Sequence, residues 1–168
     1  MSQARIVAVV GNPRPQSRTL GIAREMAAAI ASELGTDPGI TIDLATFGPR
    51  TLAVGDADVD AAVQDVLEAD VLVVASPTYK GTYSGLLKAF LDRLGTGSLN
   101  GAGAVPMLLG GAPNHQLAVD VHFTPLLLEL GASVPARGLF VLESELDVFS
   151  QRARAWAKQH AWRLVAPS

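Results

Sequence analysis

Chemistry-bearing residues first appear in the stretch Gly11-Asn12-Pro13-Arg14-Pro15-Gln16-Ser17-Arg18-Thr19. Asn12, Ser17 and Thr19 bring side-chain donors, and Arg14 brings a fixed guanidinium fork suited to phosphate. Prolines on either side of Arg14 stiffen the loop. The pattern is neither GxxxxGK(S/T) nor GxGxxG, which disfavours a nucleoside triphosphatase and an ordinary dinucleotide site. The same stretch also reads as a plain strand-to-helix turn, with Ser17 as cap and Arg14 in solvent.

Two further stretches are rich in small residues and poor in carboxylates. They are Ser76-Pro77-Thr78-Tyr79-Lys80-Gly81-Thr82-Tyr83-Ser84-Gly85 and Gly110-Gly111-Ala112-Pro113-Asn114-His115. Glycine lets a planar ligand come close to the backbone. The N–H groups of Tyr79, Lys80, Gly110 and Gly111 are candidates to meet carbonyl oxygens on such a ligand. A planar ring with one phosphate at its far end matches flavin mononucleotide (FMN). Tyr79 also reads as a half-buried core aromatic, and Gly110-Gly111 as a plain loop. No nucleophile lies beside an evident base, so no side chain is assigned as catalytic. His115 and His122 receive no role, and Trp156 and Trp162 read as packing residues.

These loops must be held by regular elements. Short apolar runs at Ile6–Val10, Ile40–Ala45, Val71–Ala75, Ala104–Leu109 and Leu139–Leu142 predict strands. Helical spacing predicts helices from Ser17 to Leu34, Ala61 to Ala69, Ser84 to Leu94, Gln116 to Leu130 and Ser150 to Leu164. Ser17 and Ser84 are the expected caps. Thr46–Asp58 reads as loop. Pro106 counts against the fourth strand, because proline cannot donate to a ladder. Pro125 should kink the fourth helix near Val121. Strands alternating with helices imply an α/β fold, a doubly wound parallel sheet. Ligands of such sheets bind at the carboxyl ends of the strands. The loops after strands one, three and four are therefore the ones expected to form a site.

Composition narrows the classes. The 168 residues are 49% apolar and 17% charged, below the usual ~25% charged, which disfavours disorder and hints at surface covered by another subunit. There is no cysteine, so disulfide frameworks, thiolate metal sites and cysteine nucleophiles drop out. The three histidines form no HExxH pattern, and no metal is expected. A net charge of −3 without a basic block disfavours nucleic acid. No apolar run is long enough for a membrane span, and a cytoplasmic protein is expected.

The residues Gly11-Asn12-Pro13-Arg14, Arg18-Thr19-Leu20, Ala75 through Lys88 and Gly110-Gly111 together resemble the NAD(P)H-dependent FMN reductases. This flavodoxin-like family supplies reduced flavin to two-component monooxygenases. His115 through Asp120 and Pro125-Leu-Leu look most like the subgroup serving alkanesulfonate and methanesulfonate oxygenases. The likeness runs from about residue 5 to about residue 142 and implies one flavodoxin-like FMN-binding domain over 1–168, with strand order 2-1-3-4-5. It implies FMN with NADPH or NADH. It places Asn12, Arg14, Ser17 and Thr19 on the FMN phosphate, and Pro77, Thr78, Tyr79, Lys80 and Gly81 along the isoalloxazine. Gly110 and Gly111 fall at the pyrimidine side. Asn12 stands where serine is common, and Val121 where some members place an aromatic.

The predicted helices at 84–94 and 116–130 are apolar around a wide arc: Leu86, Leu87, Phe90 and Leu91 on one, Phe123, Leu126, Leu127 and Leu128 on the other. A sheet buries one face of a helix, so the excess predicts a homodimer or homotetramer. The family resemblance agrees. Two rival readings remain: a quinone or azo reductase with tightly bound FMN, and a non-enzymatic flavin-binding electron carrier. The modest net charge and nine aromatics weigh against the carrier.

Overall fold

The computed structural model describes residues 3–165. Its five strands are β1 (Ile6–Val10), β2 (Ile40–Asp43), β3 (Val71–Pro77), β4 (Gly103–Gly110) and β5 (Leu139–Leu142). All pairings are parallel and the order is 2-1-3-4-5, the architecture expected from the sequence. Met1, Ser2 and residues 166–168 of the expected 1–168 domain lie outside the described residues.

β1, β3 and β4 are buried at every position, as unbroken apolar runs require. Strand alternation sorts their side chains into two cores. Val7, Val9, Leu72, Val74 and Leu108 share one core with Val63, Leu87, Phe90, Phe123 and Leu127. These last belong to helices α2 (Ala57–Leu67), α3 (Gly85–Leu91) and α4 (Thr124–Glu129), and to the segment leading into α4. Ile6, Ala8, Val10, Val73 and Met107 form the other core with α1 (Arg18–Leu34) and α5 (Phe149–Leu164).

Several elements differ from expectation for identifiable reasons. α2 begins at Ala57 rather than Ala61, because the Asp56 carboxylate accepts the Val59 N–H at 3.1 Å and caps it there. β2 ends at Asp43, short of the expected Ala45, and two 3₁₀ turns, Leu44–Thr46 and Gly48–Leu52, lead from it through the expected loop 46–58 to that cap. Pro106 lies inside β4. Gly103 donates to Asp70 O and Leu109 accepts from Thr78 N, so odd residues of β4 face β3 and Pro106 faces the other way. On that side pairing begins only at Met107–Leu139, so the missing N–H forfeits no ladder bond. Gly138 packs there instead; a Cβ on it would lie 2.7 Å from the Pro106 ring.

The fourth helix is broken. Val119–Phe123 is a π-turn and α4 proper starts at Thr124, with Pro125 in its first turn. Pro125 can give no N–H to the Val121 carbonyl four residues back, and the turn before it is widened, with Thr124 N–H bonding back to Val119 O. Trp162 departs from its packing role: it is exposed, with the Arg163 guanidinium 5.2 Å above its ring. Ala153, Ala157 and Ala161 occupy the inner face of α5.

Buried hydroxyls lock α3 to the site loops. Ser84 Oγ accepts the Leu87 N–H at 3.1 Å as the α3 cap and donates to the Gly11 carbonyl. Ser84 N–H donates to Ser76 Oγ at 2.8 Å, and Ser76 Oγ donates to Pro77 O. A Cβ on Gly11 would fall 2.4 Å from Leu87 Cβ, so only glycine allows this approach. Ser84→Ala strands the Gly11 carbonyl and the Leu87 N–H at a site that is 1% exposed. The expected loss is about 2 kcal/mol of stability, read as a lower midpoint in urea unfolding.

Candidate functional site

The carboxyl ends of β1, β3, β4 and β5 open into a cavity of about 410 Å³. It brings together Asn12, Arg14, Ser17, Thr19, Pro77, Thr78, Tyr79, Gly110 and Gly111, nine of the eleven residues expected from the sequence. Lys80 and Gly81 are not in its lining. The volume sits within the range of about 300–1,000 Å³ typical of small-ligand sites.

One end is a cationic loop leading into α1. Asn12 Nδ2 donates to Thr19 Oγ1 at 3.0 Å and Asn12 Oδ1 accepts the Arg14 N–H at 2.9 Å, both Asn12 and Thr19 being buried. The Asn12 amide thus shapes the loop from within. Ser17 Oγ accepts the Leu20 N–H at 3.2 Å and keeps its own proton to donate. Arg14 contributes only its backbone N–H to the hydrogen bonds among the described residues, so its guanidinium is free. The leading N–H groups of α1 add a partial positive charge.

The other end is an uncharged shelf. Tyr79 N–H donates to Thr82 O at 2.8 Å and Thr82 N–H returns to Tyr79 O at 3.3 Å, closing a tight turn. Lys80 (φ 52°) and Gly81 (φ 82°) form its centre, which explains why both fall outside the lining. The Tyr79 N–H, expected to meet a ligand, is spent in this turn. The ring of Tyr79 is 43% exposed on the cavity rim. A Cβ on Gly110 would lie 2.6 Å from Phe140 and 3.2 Å from Thr78 Oγ1, so Gly110 answers first to its own neighbours. A Cβ on Gly111 meets nothing within 4 Å, leaving the open space a ring needs. Thr78 Oγ1 is buried without a partner, a hydroxyl in the cavity wall able to bond a ligand.

Among the described residues, the only non-glycine positions with positive φ are Gln16 (50°) and Lys80. Each sits in one of the two facing loops. Backbone held in this region costs about 1–3 kcal/mol and persists where the surroundings enforce a shape. His115, left without a role by the sequence, stands near Gly81, where an added Cβ would lie 3.8 Å from its ring. A larger groove of about 940 Å³ runs along the β2 edge and shares Pro15, Gln16 and Ser17 with the site. It lacks the shelf.

Comparison with known proteins follows this geometry. Residues 4–147 match the family described as NADPH-dependent FMN reductase. The chain belongs to the NADPH-dependent FMN reductase family. It is 33% identical over 154 residues to an FMN reductase (NADPH) of Escherichia coli K12, covering 88% of this chain and 78% of that one. It is 28% identical over 151 residues to the NADH-dependent FMN reductase SfnF of Pseudomonas putida, covering 87% and 81%. Among solved structures, an apo NADH:FMN oxidoreductase (EMOB) superposes with a TM-score of 0.88 at 30% identity, covering 98% of this chain and 91% of the other.

The cavity of this FMN reductase family member fits a phosphorylated planar ligand. A free guanidinium and a helix N-terminus stand at one end, an orphaned hydroxyl and open glycine at the other. Sequence reasoning missed Arg18 and Glu143, which also line the cavity and pair at 2.8 Å. Glu143 follows β5, a strand whose loop was not expected to contribute. Its signal was the strand order itself, which sets β5 beside β4. Arg14→Ala removes the free guanidinium. FMN affinity should fall roughly tenfold to a hundredfold, the range for lost charged hydrogen bonds of about 1.5–3 kcal/mol, measured by flavin fluorescence titration.

Proposed function

We propose that this protein transfers hydride from NADPH or NADH to FMN and delivers reduced flavin to a flavin-dependent monooxygenase. The observation that carries the reading is the cavity itself. It sets a cationic loop opposite an uncharged glycine-bearing shelf, in a chain of the FMN reductase family. FMN supplies the hydride-accepting chemistry when bound. The protein's residues then bind and orient. Arg14, the hydroxyls of Ser17 and Thr19 and the first N–H groups of α1 hold the phosphate. Asn12 holds that loop in shape. Pro77, Thr78, Tyr79, Gly110 and Gly111 lie along the ring, and the Lys80–Gly81 turn supports Tyr79. No general base is required, because the flavin carries the chemistry.

The oxygenase partner is supported by the resemblance of His115 through Asp120 to the sulfonate-oxygenase subgroup. A cytoplasmic setting agrees with such a role; among the described residues no helix is long and apolar enough to cross a membrane. With FMN present, NADPH or NADH absorbance should fall faster than in a protein-free control. An unchanged rate with both nucleotides ends this reading.

Self-association is part of the proposal, on narrower grounds than the sequence suggested. Leu87, Phe90, Leu91, Phe123 and Leu127 are buried within the chain and are not available to a partner. Leu117 (64% exposed), Val121 (58%) and Leu128 (54%) remain on the segment around α4, four and seven residues apart. All three lie exposed on the segment that runs through the π-turn into α4. A second copy covering this segment gives a homodimer, or a homotetramer by pairing of dimers. Light scattering at micromolar concentration should return a multiple of the monomer mass, and Val121→Asp should lower it. A monomeric wild type overturns the assembly.

A further inference from the structure

We propose that Glu143 competes with the flavin phosphate for Arg18 and thereby sets FMN affinity low enough for the flavin to exchange. This rests on the FMN reading of the cavity and deepens it.

The phosphate end of the cavity carries two guanidinium groups, Arg14 and Arg18, and one carboxylate, Glu143. Arg18 Nη2 donates to Glu143 Oε1 at 2.8 Å. The partners come from opposite parts of the fold. Arg18 opens α1, and Glu143 leaves the end of β5, three strands from β1 in the sheet. The pair therefore reaches across the ends of β3 and β4, over the mouth of the site. The neighbouring acid, Glu145, is engaged elsewhere, accepting from Arg152 at 3.0 Å and from the Leu142 N–H. Glu143 thus has Arg18 as its partner, and Arg18 has Glu143.

Charge counting gives the consequence. A phosphate monoester carries about −1.5 to −2 at neutral pH. Arg14 and Arg18 alone would match it, but Glu143 cuts the local charge to +1. When phosphate takes Arg18, Glu143 is left unpaired beside a dianion. Both pair members are exposed, so the pair itself is weak and can be opened by the incoming group. The penalty falls on the phosphorylated flavin only. Its effect belongs mainly to the dissociation rate, where most affinity differences at one site reside. A reductase that hands its product on gains from this, since tighter phosphate binding would retain the flavin.

Glu143→Gln keeps an acceptor for Arg18 and removes the charge. FMN should bind roughly tenfold tighter, the size expected for removing one like charge near a dianion in a wet site. Riboflavin, which has no phosphate, should bind as to wild type. Arg18→Ala should weaken FMN and leave riboflavin unchanged. The readouts are fluorescence titrations of both flavins against the folded wild type and the two variants, with FMN dissociation followed by stopped flow. Unchanged FMN affinity in Glu143→Gln overturns the proposal. So does an equal shift for FMN and riboflavin, which would mean the carboxylate acts through the fold. A wild type that binds neither flavin overturns the FMN reading itself, and that result is read before any variant is compared.

Discussion

The hydroxyl of Ser84 is the joint on which the site depends. It caps α3, and it donates to the carbonyl of Gly11, where β1 gives way to the phosphate loop. Its own N–H is fixed by Ser76 at the end of β3. The ends of β1 and β3 and the start of α3 are therefore held together by one buried residue. Polar groups buried this deeply are stabilising only while every partner is present. The same contact forces glycine at position 11, because Leu87 occupies the space of any side chain there. The cationic loop and the shelf are thus set at a fixed separation by the protein's own interior.

Within that frame the strain is local. Gln16 and Lys80 adopt left-handed backbone in the two facing loops, and the regular elements carry no such residue among those described. The energy comes from the sheet, whose central strands are fully buried and covered on both faces. Loops shaped this way present donors without needing to reorganise, which is how fixed dipoles serve a reaction with little side-chain chemistry. Asn12 shows the division of labour. Its amide is consumed inside the loop, while Arg14 is left free at the surface of the cavity.

Much of this was legible in the sequence because it rests on local rules. Unbroken apolar runs marked buried strands, and Ser17 and Ser84 marked helix starts. The phosphate loop and shelf motifs fell where a parallel sheet places ligands. What was not legible depended on pairing across the fold. Pro106 reads as a strand breaker until the register shows that its missing N–H faces the side where β5 has not begun. Pro125 reads as a kink, and the chain resolves it as a π-turn. Gly110 reads as a ligand-facing residue, whereas Phe140 is what first excludes a side chain there. Glu143 carries no local signal at all, since its meaning comes from a residue 125 positions away.

The two faces of the sheet divide the task unequally. The phosphate loop opens α1, a helix of 17 residues packed beside α5, a helix of 16. Their shared core is rich in alanine, with Ala23, Ala27, Ala31, Ala153, Ala157 and Ala161, which lets backbones approach closely. The shelf side rests on α3 and α4, of seven and six residues, joined to loops and filled by Phe90 and Phe123. Short helices draw little stability from their own hydrogen bonds and depend on the side chains that pin them. The cationic loop is therefore built on the longest helices. The glycine-bearing shelf is built on the shortest, where Arg137 fastens the π-turn through Asp120, at 2.9 Å from Nε and 2.6 Å from Nη2. The hydrogen bond from Arg137 to Asp120, and then the charge of Asp120, raise the pKa of Arg137 above its ordinary value. The long helices thus fix the cationic loop, and the short ones keep the shelf in place.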